Sequence, residues 1–116
     1  MSNSSIKTGA DTMRVLIVDD SFLMRRLIRN IIEKDNSLEV VGEAPDGIVA
    51  LEKVAELSPD IILLDIEMPN MDGIEFLRRA KLATSAKVII ISSVARIDSK
   101  EAREVLELGA ADIIPK

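Results

Sequence analysis

The sequence predicts an α/β domain built on a doubly wound parallel sheet with helices on both faces. Three observations carry this. Apolar runs at residues 15–18, 61–64 and 88–91 lack polar alternation, as strands covered on both faces require. The segments between runs carry apolar residues at helical spacing. No hairpin signal joins one run to the next, so crossovers must link the strands. With 116 residues, 47% of them apolar, the chain suffices for one core.

The elements follow in order. Residues 1–12, MSNSSIKTGADT, are small and polar and read as a disordered lead, leaving 13–116 for the domain. Residues 15–18 are strand one. Met24, Leu27, Ile28, Ile31 and Ile32 then form the apolar stripe of a first helix capped by Ser21, with Arg25, Arg26, Arg29 and Glu33 as its solvated face. Residues 38–41 give a second, more exposed strand, followed by a turn at Pro45-Asp46-Gly47. Ala50, Leu51, Val54 and Leu57 form the stripe of helix two, which Ser58-Pro59 stops because proline cannot continue the hydrogen-bond ladder. Strand three is 61–64. Residues 69–73 are a loop, with Asp72 capping a helix over about 74–83. Strand four is 88–91. Ala102, Val105 and Leu106 mark a fourth helix that Gly109 ends in the left-handed cap position, and residues 111–114 are strand five.

Composition removes whole classes of chemistry. A net charge of −5 argues against direct nucleic-acid binding, which calls for a basic face. No apolar stretch approaches the roughly 20 residues that span a bilayer. The N-terminus lacks the plan of a secretory signal. With no Cys there is neither a disulfide framework nor a thiolate metal site, which fits a reducing cytoplasm. With no His, a Ser-His-Asp triad, a histidine zinc site and an imidazole base are excluded. Phe22 and Phe76 are the only aromatics, too few for a base-stacking platform. Carboxylate, hydroxyl, ammonium and a hard metal ion remain.

In open α/β sheets the functional crevice lies at the carboxyl ends of the strands. Strand one ends in Asp19-Asp20, strand three in Asp65, strand four in Ser92-Ser93 and strand five in Pro115-Lys116. Three carboxylates, a hydroxyl and an ammonium therefore gather at one edge. Carboxylates about 5 Å apart repel by roughly 3 kcal/mol per pair at an effective dielectric near 20, a cost that a small divalent cation removes. Oxygen-only ligands with positions left to water suit Mg²⁺ better than zinc. One carboxylate can then act as nucleophile and form an acyl phosphate.

Taken together, VDDS, LLDIEMPNMDG, IISS and GAADIIPK resemble the response-regulator receiver domains of two-component signalling, over about residues 14–116. The resemblance implies a flavodoxin-like sheet with strand order 2-1-3-4-5 and Asp65 as the phospho-accepting residue. It implies that Asp20 ligates Mg²⁺ directly and Asp19 mainly through water, while Glu67 offers its backbone carbonyl to the metal. Ser92 stands at the switch-hydroxyl position and Lys116 at the phosphate-contacting lysine. The implied donor is a phosphohistidine on a sensor histidine kinase or phosphotransfer protein, and the implied recipient is a downstream effector domain or target. A kinase-docking role for the first helix comes with the resemblance.

Two departures accompany it. The family carries Tyr or Phe on strand five as a switch residue, and Ile113 occupies that place here, so a smaller aliphatic repacking is expected. The family also adds a fifth helix, which this chain lacks; one sheet face is then expected to stay partly open, and the natural protein to continue beyond Lys116. ISSVA and GAADIIPK are similar to the regulatory domain of chemotaxis protein-glutamate methylesterases. Single-domain chemotaxis regulators, DNA-binding regulators and a homodimer stay open. So do two other functions: a metal-dependent phosphohydrolase with an aspartyl intermediate, and a receiver-like domain that binds partners without phosphate. Haloacid-dehalogenase enzymes place a DxD pair after strand one, and the adjacent Asp19-Asp20 counts against the first of these.

Overall fold

An apolar strand without polar alternation has to be covered on both sides, and β1, Met13–Val18, meets that demand: Val15, Leu16, Ile17 and Val18 are all buried. The computed structural model describes residues 12–66, 73–92 and 100–115. Along them follow α1 (Phe22–Ile32), β2 (Leu38–Ala44), α2 (Gly47–Leu57), β3 (Ile61–Asp65), α3 (Gly73–Ala83), β4 (Lys87–Ser92), α4 (Lys100–Glu107) and β5 (Asp112–Pro115). The strands form one parallel sheet in the order β2-β1-β3-β4-β5, the flavodoxin-like arrangement expected.

Strand periodicity divides the core. Leu16, Val18, Ile62, Leu64, Val88 and Ile90 pack with Val54, Phe76, Leu77, Ala80 and Val105 from α2, α3 and α4. Val15 and Ile17 face the other way and pack with Ile28 and Ile32 of α1. On that second side Ile61, Leu63, Ile89 and Ile91 are half-buried and Ile114 is exposed.

The α1 stripe is narrower than the pattern predicts. Ile28 and Ile32, four residues apart, reach the sheet, whereas Leu27 is 54% and Ile31 60% exposed. Each lies one residue, about 100° of helical rotation, off the buried line. Nor are Arg25 and Arg29 a solvated face: both are half-buried against Glu43 of β2. β2 is three residues longer at its C-terminal end than its apolar run suggests, because Gly42, Glu43 and Ala44 continue the pairing with Leu16, Ile17 and Val18. A register shift between Val15 and Leu16 leaves Val41 as an extra residue opposite the β1 ladder. That bulge returns Gly42 to the α2 side, in contact range of Leu57, and turns Glu43 toward α1.

The stops and starts fall where their chemistry requires. Ser21 accepts a hydrogen bond from the Met24 N–H at 3.1 Å and Asp46 from the Val49 N–H at 2.9 Å, each satisfying an orphan donor of a helical first turn. Ser58 closes α2 in the left-handed region (φ 48°), ahead of Pro59, and Gly109 follows α4 with φ 105°. Arg14 was not singled out by the sequence pattern. Its Nη1 donates to the Leu57 and Ser58 carbonyls at the end of α2, stitching β1 to that helix terminus. Of the lead expected at residues 1–12, residues 1–11 lie outside the described residues, as does the Asp72 cap; Thr12 departs from the expectation, being buried with its Oγ1 donating to Glu39 Oε1 at 3.3 Å. Among the described residues no helix is long and apolar enough to cross a membrane.

Candidate functional site

Parallel register decides which side chains meet. Val18 pairs with Leu64, so the next residues, Asp19 and Asp65, leave adjacent strands side by side. This is the switch point, where one crossover leads from β1 to β2 on one flank and the next element lies on the other. One carboxylate oxygen from each of Asp19, Asp20 and Asp65 lies within 4.8 Å of the others. Asp19 is 1% and Asp65 2% exposed, while Asp20 faces solvent.

The turn carrying Asp19 and Asp20 is tied on several sides. The Asp19 N–H donates to the Ala44 carbonyl at 3.0 Å. Its Oδ1 accepts from the Ser21 N–H at 2.9 Å, and its carbonyl accepts from Arg25 Nη1 at 2.6 Å. Asp65 pairs with Ile91 across β3 and β4, which brings Ser92 one residue beyond it on the neighbouring strand. Ser92 is 2% exposed, and its Oγ has no hydrogen-bond partner among the described residues. A buried hydroxyl at the rim of the sheet has a proton to donate to an acceptor brought there.

Gly73 lies under Asp65. Its N–H donates to the Ile66 carbonyl at 3.0 Å, and a Cβ there would stand 2.6 Å from Ile66 Cα and 2.9 Å from the Asp65 carbonyl oxygen. The chain returns against the strand end so closely that a methyl group has no room. Ile113 is half-buried, pairs with Ile90 and packs on the larger core. Glu67, Lys116, Ser93, Met68, Pro69 and Met71 lie outside the described residues.

The carboxylate set fits Mg²⁺ on its own chemistry. Three like charges at this spacing repel by roughly 3 kcal/mol per pair at an effective dielectric near 20. All donors are oxygens, and the exposed side of Asp20 leaves positions for water, as Mg²⁺ prefers.

Behind the turn, Glu43 is gripped by two guanidinium groups, Arg25 Nε on Oε1 at 3.1 Å and Arg29 Nε on Oε2 at 2.6 Å; Arg29 also reaches Glu33 at 3.2 Å. Partial burial pushes the Glu43 carboxyl up, but the hydrogen bonds and charges of Arg29 and Arg25 outweigh it and hold the group below its ordinary value of 4.5. A lowered folded-state value means that the stabilisation is complete above the unfolded value and is lost as pH falls through the folded one. Glu43→Gln should therefore be less stable than wild type at neutral pH, and urea melts should show the gap narrowing as the pH falls below the ordinary value of 4.5.

The response regulator receiver domain profile matches residues 15–116. The chain belongs to the response regulator receiver domain family. This receiver domain is 45% identical over 104 residues to a protein-glutamate methylesterase/protein-glutamine glutaminase of Koribacter versatilis, covering 90% of the chain and 29% of that protein. The chain thus spans less than a third of that relative's length. Among solved structures, the response regulator domain of Thermotoga maritima CheB superposes with a TM-score of 0.86 at 44% identity, covering 90% of this receiver domain and 78% of that chain. The CheX-CheY-BeF3-Mg²⁺ complex of Borrelia burgdorferi gives 0.84 at 31% identity, covering 99% and 87%. The receiver domain is accordingly a two-component signalling module similar to those of chemotaxis CheB proteins.

Sequence reasoning brought Asp19, Asp20, Asp65 and Ser92 to this edge, and the fold places them there. It missed Arg25, Glu43 and Gly73. The sequence separations of the Glu43 pairs, 18 and 14 residues, are invisible to helical periodicity. Gly73 carried a signal, as the last residue of the loop directly before an apolar stripe.

Proposed function

We propose that the domain takes a phosphoryl group from a phosphohistidine of a sensor histidine kinase or phosphotransfer protein onto Asp65, and that the acyl phosphate alters its binding to an effector. The observation that carries this reading is the meeting of Asp19, Asp20 and Asp65 within 4.8 Å at the sheet's switch point. Mg²⁺ bound by these three, with the Glu67 carbonyl, would neutralise the carboxylates and the charge on the phosphoryl oxygens. An Asp65 carboxylate oxygen forms the new P–O bond in line as the P–N bond to the donor imidazole breaks, and the freed imidazole takes its proton from solvent. The rigid end of β3 aims that oxygen. The Ser92 hydroxyl then donates to a phosphoryl oxygen, and Lys116 contacts another. The pull on Ser92 at the end of β4 is passed to Ile113 on the paired β5, which repacks, and to the surface of α4.

The output suggested by the Koribacter versatilis relative is control of a methylesterase-type effector in the cytoplasm. The CheB likeness supports a chemotaxis pathway. The test uses acetyl phosphate as a small-molecule donor, read by phosphate-affinity electrophoresis. Wild type should be labelled in Mg²⁺ and not in EDTA, and Asp65→Asn should take no label. Equal labelling of Asp65→Asn would place the acceptor elsewhere.

A further inference from the structure

Three carboxylates that repel one another do not hold a 4.8 Å grouping unaided; the backbone beneath them has to be restrained. β3 does this for Asp65. The Asp19-Asp20 pair lies beyond the end of β1, in a turn whose carbonyl at Asp19 is held by Arg25 Nη1 at 2.6 Å. We infer that Arg25, locked by Glu43, is a positioning residue for the metal-binding turn, and that the Arg25–Glu43–Arg29 group sets the affinity of the site for Mg²⁺. The inference rests on the proposed Mg²⁺-dependent reading of the site.

The geometry of the guanidinium is what qualifies Arg25. Its Nε is committed to Glu43 and its Nη1 to the turn, so one planar fork bridges the edge strand and the acidic loop. A lysine ammonium has no such fixed span. The side chain is 14% exposed, with its guanidinium carbon 5.7 Å from the centre of the Phe22 ring. Glu43 cannot swing away, because Arg29 holds its other oxygen at 2.6 Å. The bulge at Val41 is what turns Glu43 toward α1 at this level of the strand. The chain of contacts runs Glu33, Arg29, Glu43, Arg25, Asp19 carbonyl, and it ends one bond from the carboxylate-bearing Cα.

Two effects of Arg25 on Mg²⁺ have opposite signs. Its positive charge near the cluster opposes cation binding, whereas its hold on the turn preorganises the ligands. Positioning is taken to dominate, because the guanidinium is bonded to the backbone carbonyl, and its charge is already offset by Glu43.

The experiment measures Mg²⁺ affinity by isothermal titration calorimetry at a temperature where each variant is folded, together with thermal melts in EDTA. Loss of an outer partner of this kind typically lowers metal affinity about 10-fold or more, and both Arg25→Lys and Arg25→Met should show at least about that loss. Glu43→Gln keeps one acceptor and should lose less. If Arg25→Met does not fold, Arg25→Lys decides. Wild-type affinity in folded Arg25→Lys with only a lower melting temperature would make the contact merely structural and overturn the inference, as would tighter binding in Arg25→Met. Wild type that binds no Mg²⁺ would instead overturn the reading of the site itself, and the inference with it.

Discussion

Asp65→Asn is expected to stabilise the metal-free protein by about 2 kcal/mol while removing its thermal response to Mg²⁺. Asp65 is buried and shares a 4.8 Å grouping with Asp19 and Asp20, so neutralising it removes two of the three repulsive pairs. At roughly 3 kcal/mol each these pairs would give more, but Asp20 is solvated and screens its share, and an amide satisfies fewer acceptor contacts than a carboxylate. For a domain near this size the remainder corresponds to a rise of roughly 8–12 °C. In wild type, Mg²⁺ should raise the melting temperature, because the three-carboxylate grouping proposed to take it exists only in the folded chain. Thermal melts of both proteins with EDTA and with excess Mg²⁺ check this. A variant less stable than wild type in EDTA would mean that Asp65 is held by favourable contacts exceeding the repulsion.

Gly73→Ala should have the opposite character, a loss of about 3 kcal/mol accompanied by at least a tenfold slower phosphorylation by acetyl phosphate. The reason is spatial and not conformational. The atoms a Cβ would meet at 2.6 to 3.0 Å are all backbone, the Ile66 Cα and the carbonyl oxygens of Asp65 and Ile66, which cannot rotate away as a side chain would. Accommodation has to shift the end of β3 or the start of α3, and with the former the carboxylate of Asp65. Gly42 offers an internal comparison, since its near neighbours are the Cδ1 atoms of Leu57 and Leu16, which have other rotamers. Gly42→Ala should therefore leave the phosphorylation rate close to that of wild type, and a Gly73→Ala rate equally close would remove the case for close approach.

The strands and the acidic convergence were legible because each depends on short-range order. An uninterrupted apolar run specifies a strand inside a parallel sheet, and the polar residues that follow it specify what stands at the sheet's rim. Asp19, Asp20, Asp65 and Ser92 are all of that kind. Less legible was anything set by a partner distant in the chain. Helical spacing placed Leu27 and Ile31 with Ile28 and Ile32, but only contact with the sheet decides which line of an apolar stripe is buried. Arg25 and Arg29 read as solvent-facing because Glu43, which draws them in, lies beyond the α1–β2 connection. The extent of β2 was underestimated because Gly42 and Glu43 end the apolar run while the backbone goes on pairing with β1. The close approach at Gly73 is a property of the returning chain and leaves no trace in residue types beyond the glycine itself.

The additional residue in β2 bears on how evolutionary comparison of this strand must be made. A relative whose second strand is regular has one amino acid fewer between the partners of Val15 and Leu16. Matched without a gap at Val41, it would be offset by one position and would lay the wrong residue over Glu43. Covariation between that column and Arg25 would then vanish even in lineages that retain the ion pair. Placing the gap there restores the correspondence, and pairwise conservation of the two charges becomes a meaningful quantity.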